Sequence, residues 1–222
     1  DPLGAHADRR VVGRLGDALQ FIRFALPLAE RGVRVLVRAQ PPLATLLGSA
    51  PGVEATFRPD ETLPPFDAHL PLLSLPGVLG IVPGAAPATT PYLAADPAKR
   101  AAAAATLRRA GQRLAVGLAW AGNPAHRNDR RRSLALAALA PLFALPGIDW
   151  RSLQKGEPVR EIAREPSARV LAPLPDDASF DDTAALVAEL DLVVTVDTSV
   201  AHLAGALGRP VWILLPFAPD WR

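Results

Sequence analysis

Apolar positions along the chain fall into short strand-like runs separated by segments of helical spacing. From Asp17 to Arg31, Leu19, Ile22, Ala25, Leu26 and Ala29 share one face, which predicts a helix ended by Gly32. Pro27 removes a backbone donor within it and crowds the preceding turn, so a kink is expected. Val33-Arg34-Val35-Leu36-Val37 reads as a strand, Pro41-Pro42 opens a helix through Leu47, and Val53 to Phe57 reads as a second strand. Prolines at 59, 64, 65, 71, 76, 83, 87, 91 and 97 then favour loops and short extended pieces.

Residues 98–110 are alanine-rich and helix-forming, with Arg108 and Arg109 near the end where the macrodipole favours cations. Beyond them the alternation becomes regular. Strands are expected at Leu114 to Trp120, Ile148 to Leu153, 168–172 and Leu192 to Val196, with another run starting at Val211. Helices are expected near 134–144, 158–165 and 181–189, and after Thr198. This order indicates an α/β protein with parallel, doubly wound sheets. The break near 96–112 divides it into two small domains, 1–97 and 98–222.

The stretch from Leu192 to Leu215 carries the clearest chemistry. An apolar run ends at Asp197-Thr198-Ser199, a short helix follows, Gly208-Arg209-Pro210 stops it, and a second apolar run begins. In open α/β sheets ligands lie beyond the carboxyl ends of the strands, where helix N-termini offer N–H groups to anions. Asp197, Thr198, Ser199 and His202 therefore form a candidate phosphate or nucleotide site. His202 reads either as a ligand contact on the same helix side as Ser199 or as a buried histidine paired with a carbonyl.

Composition narrows the partners. The 222 residues carry 24 basic and 22 acidic side chains, a net charge of only +2, which does not imply a nucleic-acid partner. No cysteine is present, so no disulfide, thiolate metal site or Cys nucleophile is available, in keeping with a cytoplasmic setting. His6, His69, His126 and His202 stand apart, without zinc-site spacing, and no metal is expected. The sequence lacks both an apolar run of roughly 18 residues and the pattern of a signal peptide. A start at Asp1 without methionine and a stop at Arg222 just after an apolar run suggest part of a longer polypeptide.

Further polar groups stand at predicted strand ends or helix starts. Gly16-Asp17 opens the first helix: Asp17 is either an ordinary cap or a general base, with Gly16 permitting close backbone approach to a substrate. Gly122-Asn123-Pro124 leads into Arg127-Asn128-Asp129-Arg130-Arg131-Arg132, which is either a solvated charge run or a diphosphate clamp. In Ser152-Leu153-Gln154-Lys155-Gly156-Glu157, Lys155 is a further candidate for phosphate, and Gln154 or Glu157 for a base or ribose. The alternative is a polar turn. The acidic group Asp176 to Asp182 fits helix capping by Asp181 or Asp182 and does not match a calcium loop.

Gly16-Asp17-Ala18-Leu19-Gln20-Phe21, Gln40-Pro41-Pro42-Leu43, Trp120-Ala121-Gly122-Asn123-Pro124, Ser152-Leu153-Gln154-Lys155-Gly156 and Val196-Asp197-Thr198-Ser199-Val200-Ala201-His202 occur in one order with Pro71-Leu72-Leu73-Ser74-Leu75-Pro76 and Leu215-Pro216-Phe217-Ala218-Pro219-Asp220-Trp221-Arg222. Together they resemble the glycosyltransferase region at the C-terminus of bacterial tetratricopeptide-repeat proteins. That region is similar to glycosyltransferase family 9, the ADP-heptose:lipopolysaccharide heptosyltransferases, and more distantly to the protein O-GlcNAc transferases. The resemblance implies a GT-B fold, two Rossmann-like domains facing across a cleft, with acceptor on the first and nucleotide sugar on the second.

By the same resemblance Asp17 is the base, with Gly16 and Gln20 on the acceptor side. Asn123, Arg132, Gln154, Lys155, Asp197, Thr198, Ser199 and His202 hold the donor. It implies metal-independent, inverting transfer from an ADP-, UDP- or GDP-linked sugar to a glycan or protein hydroxyl, with no cofactor. Upstream tetratricopeptide repeats and a cytoplasmic location, peripheral to the inner membrane, are expected. Val11-Val12 stands where the family has a longer first strand. The competing expectations are a non-catalytic nucleotide- or sugar-binding module of a repeat protein, and a related epimerase acting on the donor alone.

Overall fold

The computed structural model describes residues 15–82, 84–87, 89–107, 113–125 and 129–217. The expectations for Val11-Val12, His6, His126 and the segment after Phe217 lie outside these residues. The first region comprises α1 (Leu15–Phe21), α2 (Ala25–Ala29), β1 (Val35–Arg38), α3 (Ala44–Leu47), β2 (Val53–Phe57) and α4 (Leu75–Leu79). Then come α5 (Pro97–Thr106), β3 (Leu114–Ala119), α6 (Asp129–Arg132), β4 (Ile148–Ser152), α7 (Glu161–Arg164), α8 (Phe180–Glu189), β5 (Leu192–Val196), α9 (Ser199–Ala206) and β6 (Val211–Leu214).

The expected first helix runs almost unbroken through 15–29, with a 3-10 turn at Ile22–Phe24 between α1 and α2. That turn includes Arg23, four residues before Pro27, whose carbonyl loses its helical donor to the proline ring. The segment 134–144 was expected as an α-helix and is instead a 3-10 helix over Leu136–Ala144, with Pro141 inside it. Residues 157–164 divide into a 3-10 turn and α7, where one helix was expected. The strand expected at 168–172 is corrected too. Pro166 opens a 3-10 helix over Pro166–Val170, and only an isolated bridge from Arg151 to Ala172 extends the sheet there.

Both sheets are parallel: β1 pairs with β2, and the larger sheet has the order β4-β3-β5-β6. β5 is buried on both faces, with Val193 in one apolar cluster and Val194 in the other, as expected for a parallel strand covered by helices on each side. The Val194 cluster includes Trp120, Leu136, Phe143 and Trp150. The Val193 cluster runs through both regions, joining Leu19, Ile22, Leu43 and Leu47 to Leu186, Val187 and Leu203. α1 packs on α9, and α3 on α8. α5 also lies on α8, where Lys99 pairs with Asp182 and Arg100 with Glu189.

The strand order determines where ligands can enter. From β3 the chain passes to β4 on one side, whereas from β5 it passes to β6 on the other. The carboxyl ends of β3 and β5 thus flank the crevice where connections diverge, the usual ligand position in an open α/β sheet. Register brings these ends level: Ala119 pairs with Thr195, and Leu118 with Ser152.

Candidate functional site

A cleft of about 1190 Å³ opens at those strand ends. From the larger sheet it receives the segments after β3, β4 and β5; from the first region it receives the start of α1 and the residues after β1. The structure brings Gly16, Asp17, Asn123, Arg132, Gln154, Lys155, Asp197, Thr198, Ser199 and His202 to its walls. Gln20 is not among the lining residues and sits farther along α1. Gln40, Glu157, Phe180 and Thr183 also line the cleft. Gln40 follows β1 by two residues, so the strand-end logic used for Asp197 applies to it as well.

The turn between β5 and α9 is built by local bonds. Thr198 is the N-cap of α9, its extended backbone allowing its hydroxyl to accept from the Val200 N–H at 3.3 Å. The buried Thr195 hydroxyl lies 3.2 Å from that of Thr198 and steadies the cap from the strand. α9 therefore begins at Ser199 with the positive end of its dipole facing the cleft.

Arg132 spans the crevice between β3 and β5. Its Nη1 donates to the Asp197 carbonyl at 2.9 Å, and its Nε faces Asp129 at 3.5 Å. The guanidinium lies against Gly122, where an added Cβ would come within 2.7 Å of Nη2. Gly122 is held in turn by its N–H donating to the Ser133 hydroxyl. Asn123 accepts from the Ala125 N–H and shapes the adjoining turn.

Gln154 is buried and its amide bonds to main chain. Oε1 accepts from the N–H groups of Trp120 and Ala121, while Nε2 donates to the carbonyls of Ala121 and Lys155. It thereby fastens the end of β3 to the segment after β4. Lys155 is exposed, and its Nζ donates to the carbonyls of Ala178 at 2.6 Å and Pro175 at 3.3 Å.

The two walls meet at α1 and α9. Gly16 and Asp17 are buried in the first turn of α1, with Asp17 only 8% exposed. A Cβ on Gly16 would lie 2.6 Å from Cδ2 of His202, so the imidazole rests directly on the glycine backbone. Only a residue without a side chain permits this approach, and it brings the Asp17 turn beside the first turn of α9. Among the described residues no group of three or more His, Asp or Glu side chains is arranged to hold a metal, and no helix is long and apolar enough to cross a membrane.

This arrangement can hold an anion at the α9 N-terminus, in the same cleft that Asp17 of α1 lines. Residues 150–214 match the model of glycosyltransferase family 9 (heptosyltransferase), a span containing Gln154, Lys155, Asp197, Thr198, Ser199 and His202. Protein FlbA of Caulobacter vibrioides is 33% identical over 133 residues, covering 58% of this chain. That match spans only 22% of FlbA.

Among solved structures, E. coli heptosyltransferase WaaC with ADP superimposes with a TM-score of 0.59 at 14% identity, covering 94% of this chain and 86% of that one. The E. coli ADP-heptose lps heptosyltransferase II gives a TM-score of 0.57 at 13% identity, covering 90% and 82%. The chain accordingly shares the GT-B fold of these two structures, and its residues 150–214 match the pattern of glycosyltransferase family 9.

Proposed function

We propose that the cleft transfers a sugar from a nucleoside diphosphate sugar to a hydroxyl acceptor with inversion and without a metal. The observation that carries this is the placement of Asp17, on α1, in the same cleft as the N-terminus of α9. The Asp17 carboxylate takes the acceptor hydroxyl proton as the oxygen attacks the anomeric carbon from the face opposite the leaving group. The bond from that carbon to the diphosphate oxygen breaks, and the electron pair leaves on the diphosphate. The helix N-terminus at Ser199 and the Arg132 guanidinium stabilise the departing charge.

The donor class is ADP-, UDP- or GDP-linked. Support comes from the family 9 pattern and from the fold shared with structures described as holding ADP and ADP-2-deoxy-2-fluoro heptose. In this reading residues 1–97 form the acceptor half and 98–222 the donor half. The acceptor is a glycan or protein hydroxyl, the parent chain carries tetratricopeptide repeats upstream, and the protein works in the cytoplasm at the inner membrane.

Asp17→Asn tests the assignment. Transfer should fall by roughly 10²–10⁴-fold with nucleotide affinity nearly unchanged, and turnover at the wild-type rate would sink it. A second reading, a binding module without turnover, draws on the engagement of Arg132 and Lys155 with main-chain carbonyls. Nucleotide binding without transfer or donor hydrolysis, in the full-length parent chain, would select that reading.

A further inference from the structure

The bonding of Lys155 differs from that of a free phosphate ligand. Two of the three ammonium donors are used on the carbonyls of Pro175 and Ala178. Those carbonyls belong to the turn that enters α8 through its N-cap, Ser179. The next residue, Phe180, lines the cleft and supplies the only phenyl ring among its described walls. The ring packs partly against the core, and two devices hold the backbone on either side of it. On the helix side, Ser179 and Asp182 form a reciprocal capping box; on the loop side, Lys155 holds the turn before it.

We propose that Lys155 is a positioning residue for the nucleobase. It holds the 175–178 turn so that Phe180 presents a wall on which a base stacks, and the diphosphate is left to Arg132 and the α9 N-terminus. The proposal rests on the nucleoside diphosphate reading given above. An aromatic ring suits this role because every base offers a π-face, and stacking contributes measurably to affinity.

The test is a double-mutant cycle on ADP binding, measured by calorimetry, with UDP and GDP as parallel ligands. Lys155→Met and Phe180→Leu should each weaken ADP roughly tenfold. The double variant should be no weaker than the poorer single variant, because both changes remove one wall. Lys155→Arg, which retains donors for the two carbonyls, should stay near wild type. Losses that multiply in the double variant, or a Phe180→Leu protein that binds normally, would make Lys155 an independent ligand and overturn the proposal. A wild-type protein that binds none of the three nucleotides would overturn the nucleotide reading itself, a distinct result seen before any variant is compared.

Discussion

At the scale of single residues, the contact between Gly16 and His202 is the most exacting feature of the site. Gly16→Ala places a methyl group within 2.6 Å of the imidazole, so either the ring rotates or α1 and α9 separate. Crowding of this kind costs about 1–3 kcal/mol. Calorimetry should show weaker nucleotide binding in Gly16→Ala, although this glycine belongs to α1 and not to the α9 turn that faces the anion. Adding His202→Ala relieves the clash, and the double variant should bind no worse than His202→Ala alone. Arg132→Ala should also weaken binding, with part of the loss arising because the Asp197 carbonyl loses its donor.

The same scale shows where the sequence was readable. Asp197, Thr198 and Ser199 announce themselves because a strand, a cap and a helix start are local features. Gln154 and Lys155 were visible as polar residues at a strand end, but their bonds reach residues 20 to 34 positions away. Those partners depend on how β3 lies beside β4 and where the turn before α8 falls. Neither is encoded in local spacing.

At the scale of elements, α8 carries the most defined terminus. The Ser179 hydroxyl accepts from the Asp182 N–H, and the Asp182 carboxylate accepts from the Ser179 N–H. Ser179→Ala should lower stability by about 1 kcal/mol in chemical denaturation. Hydrogen bonds from Lys99 and Ser179 hold the Asp182 carboxyl below its usual range, at about 2. A carboxyl depressed in the folded state contributes its full stability above the unfolded value near 4, and that contribution fades as pH falls toward 2. The stability gap between wild type and Asp182→Asn should therefore be widest at neutral pH and narrow across that window. Because the pair is partly exposed, salt should narrow it too.

Elements with uninterrupted patterns were legible: β1, β2, β3, β4, β5 and α8 lie within a few residues of their expected positions. Proline explains several of the others. Pro141 lies inside the segment expected as a helix and Pro166 stands just before the expected strand 168–172, and each lies in a 3-10 helix. An apolar run such as Val170-Leu171-Ala172 satisfies strand patterning, yet it becomes a strand only where a neighbour offers a full ladder. Here Arg151 and Ala172 share a single bridge.

At the scale of the whole molecule, the cleft lies above a core that belongs to both regions. Leu19, Leu43 and Leu47 from the first share one cluster with Leu186, Val187 and Leu203 from the second. A nucleotide that binds only the folded protein stabilises it by about 2.7 kcal/mol at a hundred times its Kd. For a chain of this size the melting temperature should rise on the order of 5–10 °C. A panel of ADP, UDP and GDP that produced no rise would argue against the nucleotide reading.

The shared core also dictates how that protection spreads. Because α3 packs on α8 and α1 on α9, opening one wall exposes leucines of the other. A ligand seated at the start of α9 should therefore slow the deepest amide exchange in α3, a helix that supplies none of the lining residues of the cleft. Exchange rates on the two walls should rise and fall together, as in one cooperative unit whose two halves open only as a pair.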